Sequence, residues 1–341
     1  MTIGLVITAG YLNNAQNKSL ENDRLLKFYQ VLKTLRAIKK QEDDQIVVSE
    51  FGESSKLRGL CDSILGKKYI YVFSSSKESI FNQAEVKNAG AEKCNTDVVL
   101  FINSDVVLSS NVFDVLRQEF EKNSNIFCTC ARTDVFIKNS QVEELLKQIN
   151  KNGYPKINIE IDDPGWQYVL KIPQKKILSK IKIYEPTGNI TTVLHDFRNG
   201  YINYGEFIAL SKEVWNRNKF DKDLPVLTDS YIRDKVFHTE KDCKLVLVHD
   251  KVICCHLSGS DFMGQEINGS EKDLRLKKDL ITAANKYEYM KHWLVFSYRP
   301  EFDNLIDKLK IPFKEIWNQY STEFSRKYFK YNEEIKKWIN M

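Results

Sequence analysis

Residues 95–105 read Asn-Thr-Asp-Val-Val-Leu-Phe-Ile-Asn-Ser-Asp. The unbroken apolar character of the strand predicted over 97–102 is typical of a central strand in a parallel sheet covered by helices on both faces. The polar triplet Asn103-Ser104-Asp105 follows directly, at the C-terminal end of that strand. Open α/β sheets bind their ligands at this edge, so the sequence predicts a ligand site around Asp105.

A carboxylate at this position can bind Mg²⁺ or Mn²⁺ that also holds a diphosphate, because hard divalent cations take oxygen ligands and bridge phosphates. The alternative is a turn that only ends the strand, since Asn, Ser and Asp side chains also stabilise turns. The triplet by itself leaves both interpretations open.

The sequence around this triplet alternates strand-like and helix-like stretches, the pattern of a mainly parallel α/β sheet flanked by helices. Strands are predicted over 3–8, 45–49, 69–73, 97–102, 126–130, 204–211, 244–248 and 252–256. Helices are predicted over 20–40, 80–92, 112–123, 212–218, 229–237, 271–296 and 312–340. We therefore expect a sheet domain over 1–260 and a helical C-terminal extension over 261–341, with a loop-rich, proline-containing region over 150–200.

Composition excludes several classes of protein. The 341 residues are 42% hydrophobic and 28% charged, as in ordinary globular chains, which excludes wholesale disorder and a disulfide miniprotein. A net charge of +5 is too small to indicate nucleic-acid binding. The first seven residues contain no Lys or Arg and the apolar runs are strand-sized, so neither a secretory signal nor a membrane span is predicted. The seven Cys, with no Cys-x-x-Cys pair, predict buried thiols in a reducing cytoplasm.

A second block of polar and aromatic residues occurs later in the chain: 205–215, then Lys219-Phe220-Asp221, then Thr228-Asp229-Ser230-Tyr231-Ile232-Arg233. Together with Asn88-x-Gly90 and Asn103-Ser104-Asp105, this block resembles the GT-A fold (Rossmann-like) nucleotide-sugar glycosyltransferases, in particular the family 2 type. The resemblance covers residues 3 to about 260. The triplet stands where that family has Asp-X-Asp, and the second block is similar to its acceptor-side region.

The resemblance implies a glycosyltransferase (EC 2.4) that moves a sugar from a nucleotide-diphosphate donor to a hydroxyl of a glycan or glycoconjugate, with inversion, in polysaccharide biosynthesis. It implies a nucleotide-sugar half over 1–130 and an acceptor-side half over 131–260. A UDP-sugar is the favoured donor, Mn²⁺ or Mg²⁺ the cofactor, and a glycan or lipid-linked glycan the acceptor.

The resemblance also implies roles for individual residues. Asp105 would bind the metal and the diphosphate, and His256 would be a further metal ligand. Asp229 would be the general base, which an alcohol nucleophile needs at neutral pH. The remaining residues would line the donor pocket: Thr8, Ala9, Gly10, Glu50 against the base, Asn103 near the ribose or the metal, and Ser104.

Each role has an alternative. Asp229 also suits the N-terminus of a helix, whose dipole favours a carboxylate. His256 also suits the structural end of an apolar strand, and Glu50 a solvated loop. The sequence also departs from the family pattern, with Asn103 in place of the first Asp of the triplet and Lys219 in place of a Gly. These departures leave open the interpretation that the protein is a catalytically degenerate scaffold in a glycan-assembly complex. The glycine-rich loops of pyrophosphorylases and dinucleotide-binding enzymes are not present after the first strand.

Two segments indicate surface contacts. The run Lys171, Lys175, Lys176, Lys180 and Lys182 suits a solvated face, or a ridge against anionic lipid or a phosphorylated acceptor. An aromatic stripe in the predicted last helix suits peripheral contact with the inner face of the membrane, docking on the catalytic domain, or a homo-oligomer. The sequence does not choose among these.

Overall fold

The computed structural model of the chain describes residues 1–10, 18–76, 81–130, 132–136, 207–248, 251–252, 254–258, 271–287, 290, 329–332 and 337–340. The strands are β1 (Ile3–Gly10), β2 (Gln45–Gly52), β3 (Ile70–Ser75), β4 (Val98–Asn103), β5 (Val106–Leu108), β6 (Ile126–Thr129), β7 (Arg132–Phe136), β8 (Ile208–Ser211), β9 (Lys244–Leu247), β10 (Cys254–Ser258), β11 (Phe329–Asn332) and β12 (Lys337–Asn340). The helices are α1 (Lys18–Leu35), α2 (Arg58–Leu65), α3 (Gln83–Lys93), α4 (Val112–Lys122), α5 (Lys212–Arg217), α6 (Thr228–Thr239) and α7 (Glu271–Lys286).

The main sheet has seven strands in the order β3-β2-β1-β4-β8-β6-β9. The first four are parallel, β8 runs antiparallel between β4 and β6, and β9 is parallel to β6. The predicted α/β fold with a mainly parallel sheet and flanking helices is therefore confirmed.

Helices cover both faces of this sheet, which is why β1 and β4 are apolar almost throughout. On one face, Leu5 and Leu100 belong to a core that includes Phe28 of α1 and Leu116 of α4. On the other face, Val6 packs in a separate core with residues of α3, α5 and α6. Because successive side chains of a strand point to opposite faces, burial of both faces requires a continuous apolar run.

A second, three-stranded sheet has the order β5-β10-β7. Strand β10 is antiparallel to β5 and parallel to β7, and His256 lies opposite both Val106 and Asp134. The sequence predicted β10 but neither of its neighbours. Three residues are too few for β5 to show a period, and β7 reads Arg-Thr-Asp-Val-Phe, without a simple apolar pattern.

The predicted helix over 312–340 is wrong where the structure describes it. Strands β11 and β12 pair antiparallel there, with Tyr331 opposite Trp338. Aromatic and β-branched side chains favour strands, and in this segment they outweigh the helical spacing of the aromatic stripe. The extension is thus helical only in part. The rest of that predicted helix, the region 150–200 and its lysine run lie outside the described residues.

Helix α7, the first element of the extension, packs against the loop that precedes α6. The buried carboxylate of Asp279 accepts hydrogen bonds from the backbone N–H groups of Val226 (2.8 Å) and Leu227 (3.2 Å). The Tyr287 ring lies 5.2 Å from that of Tyr231, and its hydroxyl donates to Asp221 at 2.7 Å. The start of α7 near 271 agrees with the predicted start, whereas the boundary at 260 between two domains stays a prediction.

The cysteine thiols support the expectation of buried side chains. Cys61, Cys94, Cys128, Cys130 and Cys254 are buried, and Cys243 is half-buried. Burial raises the pKa of the Cys61 thiol to about 12, with the Glu50 carboxylate adding to the effect, and burial also raises the pKa of Cys94 to about 12. These thiols are packing groups, because only the thiolate is a reactive nucleophile.

Helix α3 approaches the sheet so closely at Gly90 that a side chain there has no room. A Cβ at this position would lie 2.5 Å from Val6 Cγ1 and 3.1 Å from Ser49 Cβ, both in the sheet below. We predict that Gly90→Ala lowers the free energy of unfolding by about 1–3 kcal/mol, as overpacking does elsewhere. Denaturant unfolding monitored by circular dichroism measures this change.

Gly59 provides the matched control, because it also lies in a helix, α2, but no atom stands within 4 Å of a Cβ placed there. Gly59→Ala is expected to stabilise the protein by up to about 1 kcal/mol, since Ala is the better helix former. Equal effects of the two substitutions would contradict the close packing of α3 on the sheet.

Candidate functional site

Three neighbouring parallel strands end at the same edge of the main sheet. Strand β1 lies between β2 and β4, and the register places Ala9 beside Glu50 and Thr8 beside Asn103. The Thr8 hydroxyl lies 3.4 Å from Asn103 Oδ1, to which it donates. The structure therefore brings together the strand-end residues that the sequence placed in one pocket: Thr8, Ala9, Gly10, Glu50 and Asn103.

Phe81 is a residue of this edge that the sequence analysis missed. A Cβ on Gly10 would lie 2.5 Å from the Phe81 ring, so only glycine allows the ring to lie against the end of β1. The ring also meets Phe51 edge to face, with 5.7 Å between centroids. The sequence placed Phe81 inside the helix predicted over 80–92, whereas α3 begins at Gln83, so nothing indicated that the ring belongs to this edge.

Glu50 has its carboxylate fully buried at the end of β2. Oε1 accepts a hydrogen bond from the Lys56 backbone N–H at 2.9 Å, Oε2 accepts one from the Leu57 N–H at 3.4 Å, and the Tyr71 hydroxyl also donates to Oε2. This burial excludes the solvated-loop interpretation. The carboxylate orders the chain that leads into α2, and its contact with a nucleotide base stays a prediction.

Asp105 lies in the turn between β4 and β5, beside His256 of β10. His256 Nε2 is 3.2 Å from Asp105 Oδ2, and the Leu257 backbone N–H donates to the Asp105 carbonyl at 2.8 Å. Asp105 Oδ1 is buried and has no hydrogen-bond partner among the described residues. The predicted pair of Asp105 and His256 is thus adjacent in the fold, although the two residues are 151 positions apart.

The electrostatics keep this carboxylate charged. Burial alone would raise the pKa of Asp105, but the neighbouring His256 and the more distant Lys27 of α1 outweigh it and lower the pKa to about 2. Sequence analysis did not single out Lys27. Asp105 is therefore an anion at neutral pH, with one oxygen that no other described group uses.

An anionic oxygen beside an imidazole nitrogen fits a divalent cation such as Mn²⁺. No group of three or more His, Cys, Asp or Glu that could hold a metal occurs among the residues that the structure describes. Asp105 and His256 would then supply the protein ligands, and a donor diphosphate and water the others. Metals that act on diphosphates are often held by one or two carboxylates plus the phosphates themselves.

Asp229 occupies the first turn of α6, and its side chain is 20% exposed. Its Oδ1 accepts hydrogen bonds from Lys87 Nζ and, at 3.2 Å, from the Thr228 hydroxyl. Lys87 comes from α3 and is completely buried. Sequence analysis missed Lys87, because α3 has no clear apolar face and a lysine in a helix is ordinarily exposed.

Helix α3 also joins the two sequence motifs that suggested a family. The Asn88 side chain donates to the Phe220 carbonyl at 2.9 Å and accepts from the Phe220 N–H at 3.1 Å. The Gln83 backbone N–H donates to the Pro225 carbonyl at 3.0 Å, and its side chain accepts from the Thr228 hydroxyl at 3.1 Å. The motif around Asn88 therefore positions the block that contains Asp229.

Part of the chain matches a family of known proteins. Residues 25–153 match the family described as "Glycosyltransferase like family 2". This part of the chain is therefore similar to the family 2 glycosyltransferases, in agreement with the resemblance noted in the sequence. A search of curated protein sequences found no match.

Similar solved structures include TarS 1–349 of S. aureus in complex with UDP-GlcNAc, at 12% identity and a TM-score of 0.49, covering 94% of this chain and 79% of that one. The mannosyltransferase PcManGT of Pyrobaculum calidifontis, in complex with GDP-Man and Mn²⁺, is 12% identical with a TM-score of 0.45, covering 83% and 63%. A longer TarS chain is 10% identical with a TM-score of 0.45, and this chain spans 56% of its length.

Among the described residues, no helix is both long enough and apolar enough to cross a membrane.

Tyr71 allows a test of the buried Glu50 cluster. Burial and the hydrogen bond to Glu50 raise the pKa of the Tyr71 phenol, so it stays protonated and donates at neutral pH. Tyr71→Phe removes one donor from a buried carboxylate and is expected to cost about 1–3 kcal/mol of unfolding free energy.

Tyr69→Phe is the control, because the Tyr69 hydroxyl donates to Asp62 in an exposed contact, and we expect a loss below about 0.5 kcal/mol there. Similar losses in both variants would show that the Glu50 contact adds nothing specific.

Proposed function

We propose that the protein transfers a sugar from a nucleotide-diphosphate sugar to a hydroxyl of a glycan or glycoconjugate acceptor, with inversion at the anomeric carbon. The observation that supports this best is the Asp105 carboxylate, anionic and beside His256, at the C-terminal edge of the parallel strands. The family match over 25–153 includes Glu50, Asn103 and Asp105 of this edge, but neither β1 nor His256. The scaffold alternative has no such support, because a scaffold needs no anionic oxygen without a protein partner.

The donor would lie along the ends of β1, β2 and β4. Thr8, Ala9 and Gly10 offer small side chains where the nucleotide would approach the backbone, and the Glu50 cluster would shape the pocket for the base. Asn103 and Ser104 would contact the ribose and the metal shell. A UDP-sugar with Mn²⁺ is the donor that we propose, on the resemblance to family 2 enzymes.

The reaction is a single displacement. The acceptor oxygen forms a bond to the anomeric carbon while the bond from that carbon to the diphosphate oxygen breaks, and the hydroxyl proton passes to the Asp229 carboxylate. A bound divalent cation would neutralise the charge that develops on the departing diphosphate. Asp105 and His256 would hold that cation, and Asp229 would take the proton on the acceptor side.

The acceptor and the cellular setting are the finer parts of the proposal. The resemblance to family 2 enzymes suggests polysaccharide biosynthesis and a glycan or lipid-linked glycan acceptor. The buried thiols suggest a cytoplasmic location, and the aromatic residues of the C-terminal extension suggest peripheral membrane contact or a homo-oligomer. We propose them on that basis.

Ligand-dependent thermal stability tests the donor class. UDP, GDP, CDP and CMP and their sugars are each added with and without Mn²⁺, because a ligand at 100 times its Kd stabilises the native state by about 2.7 kcal/mol. We expect a metal-dependent rise in Tm with one diphosphonucleoside, UDP being favoured. Absence of a shift with every nucleotide would contradict a nucleotide-sugar enzyme.

Variants of the two carboxylates separate their roles. Asp105→Ala should abolish both the metal-dependent shift and transfer. Asp229→Asn should keep the shift and lower kcat by about 10²–10⁴-fold, the usual contribution of a general base. Asp114→Ala, which removes a half-exposed carboxylate of α4, is the control and should change neither. Full transfer activity in Asp229→Asn would remove Asp229 from the role of base.

A further inference from the structure

Lys87 is a buried ammonium group next to the proposed general base. The residue is 0% exposed, and its Nζ donates to Asp229 Oδ1 and, at 3.2 Å, to Thr228 Oγ1. The same Nζ lies 5.3 Å from the centre of the Phe220 ring. A buried charge is costly unless it is paired, so this ammonium strongly favours one position of the Asp229 carboxylate.

The two oxygens of the Asp229 carboxylate differ in their hydrogen bonds. Both hydrogen bonds that the described residues make to Asp229 end on Oδ1. Oδ2 is therefore available to accept a proton while Oδ1 stays held. Since the Asp229 side chain is partly exposed and Lys87 is not, the acceptor can approach Asp229 without contact with Lys87.

We propose that Lys87 is a positioning residue for transfer: it holds Asp229 through Oδ1 and so orients Oδ2 towards the acceptor hydroxyl. This inference rests on the proposed function. Lys87 takes no part in bond formation or cleavage, since the proton moves from the acceptor oxygen to Asp229 Oδ2. The complete burial of Lys87 argues against direct contact with the donor diphosphate.

Contacts from α3 and α7 fix the backbone next to Asp229. The contribution of Lys87 is therefore confined to the Asp229 carboxylate. The Gln83 backbone N–H donates to the Pro225 carbonyl, and the Asp279 carboxylate of α7 accepts from the N–H groups of Val226 and Leu227 just before α6. These contacts fix the backbone at the start of the helix. Among the described side chains, Lys87 and Thr228 alone bond the carboxylate, and Lys87 is the charged one.

A double-mutant cycle of Lys87→Met and Asp229→Asn tests the proposal with purified full-length protein, the nucleotide-sugar that shifts Tm, and its acceptor. Lys87→Met is expected to lower kcat by about 100-fold, the effect of misplacing a catalytic group by about 1 Å, and to leave the donor KM within about 3-fold. In the Asp229→Asn background, the same substitution should lower kcat by less than about 3-fold, because a positioning residue acts only through the group that it positions.

Lys212→Met is the matched control. Lys212 is a partly buried lysine of α5, and its Nζ donates to the carbonyl oxygens of Ala91 and Cys94 (2.9 Å to the latter) at the C-terminal end of α3, away from Asp229. Its loss should lower Tm while kcat stays within about 2-fold of the parent. Lys87→Gln, which keeps a polar donor without the charge, is assayed in parallel so that the test does not depend on the folding of one variant, and it should also lose kcat.

The outcomes distinguish the proposals. Three results would each overturn the role of Lys87 while leaving the glycosyltransferase function intact. In the first, Lys87→Met lowers kcat no more than Lys212→Met does; in the second, it raises the donor KM with kcat unchanged. In the third, it lowers kcat in the Asp229→Asn background by the same factor as in the parent protein. Absence of transfer in the parent protein, with every donor, would instead overturn the proposed function and the role of Lys87 with it.

Discussion

Burial of both faces of β1 and β4 is the constraint on which the rest of the structure depends. A strand covered by helices on both sides cannot carry a polar side chain without a partner until it reaches the edge of the sheet. In this chain the apolar runs end at Thr8 and at Asn103, which lie side by side. The position of the candidate ligand-binding edge is therefore a consequence of how the core is packed, and Asp105 follows in the turn after Asn103.

Much of the fold could be predicted because burial of both faces of a strand requires a continuous apolar run, which is recognisable in the sequence. The continuous run before Asn103 identified the central strand, and the alternation of strands and helices identified the parallel sheet. The strands of the three-stranded sheet show no comparable apolar pattern. Strand β5 has three residues, and β7 is polar, so their existence depends on pairing with β10 rather than on their own composition. The predicted helix over 312–340 was wrong at β11 and β12 for a related reason. The aromatic residues of this segment fit a helical and an extended pattern equally well.

The candidate site was predictable in its residue types but not in its contacts. Asp105 and His256 could be named from the sequence, yet the 3.2 Å contact between them depends on β10 pairing with β5. Lys87 could not be named, because a lysine in a helix is ordinarily solvent-exposed. Only the three-dimensional structure shows that α3 carries it into the interior, against a carboxylate 142 positions away.

The two carboxylates of the site have partners of different kinds, and the difference fits their proposed roles. Asp105 faces an imidazole, which can lose its proton and become a metal ligand, and it keeps one buried oxygen without a protein donor among the described residues. Asp229 faces a buried ammonium, and a metal ion there would have to lie beside a positive charge that cannot reach water. A proton adds far less charge density than a divalent ion and binds the oxygen that Lys87 does not hold. The two environments are thus consistent with the proposed roles, a metal ion at Asp105 and the acceptor proton at Asp229, which are the two functions that the proposed displacement from a diphosphate needs.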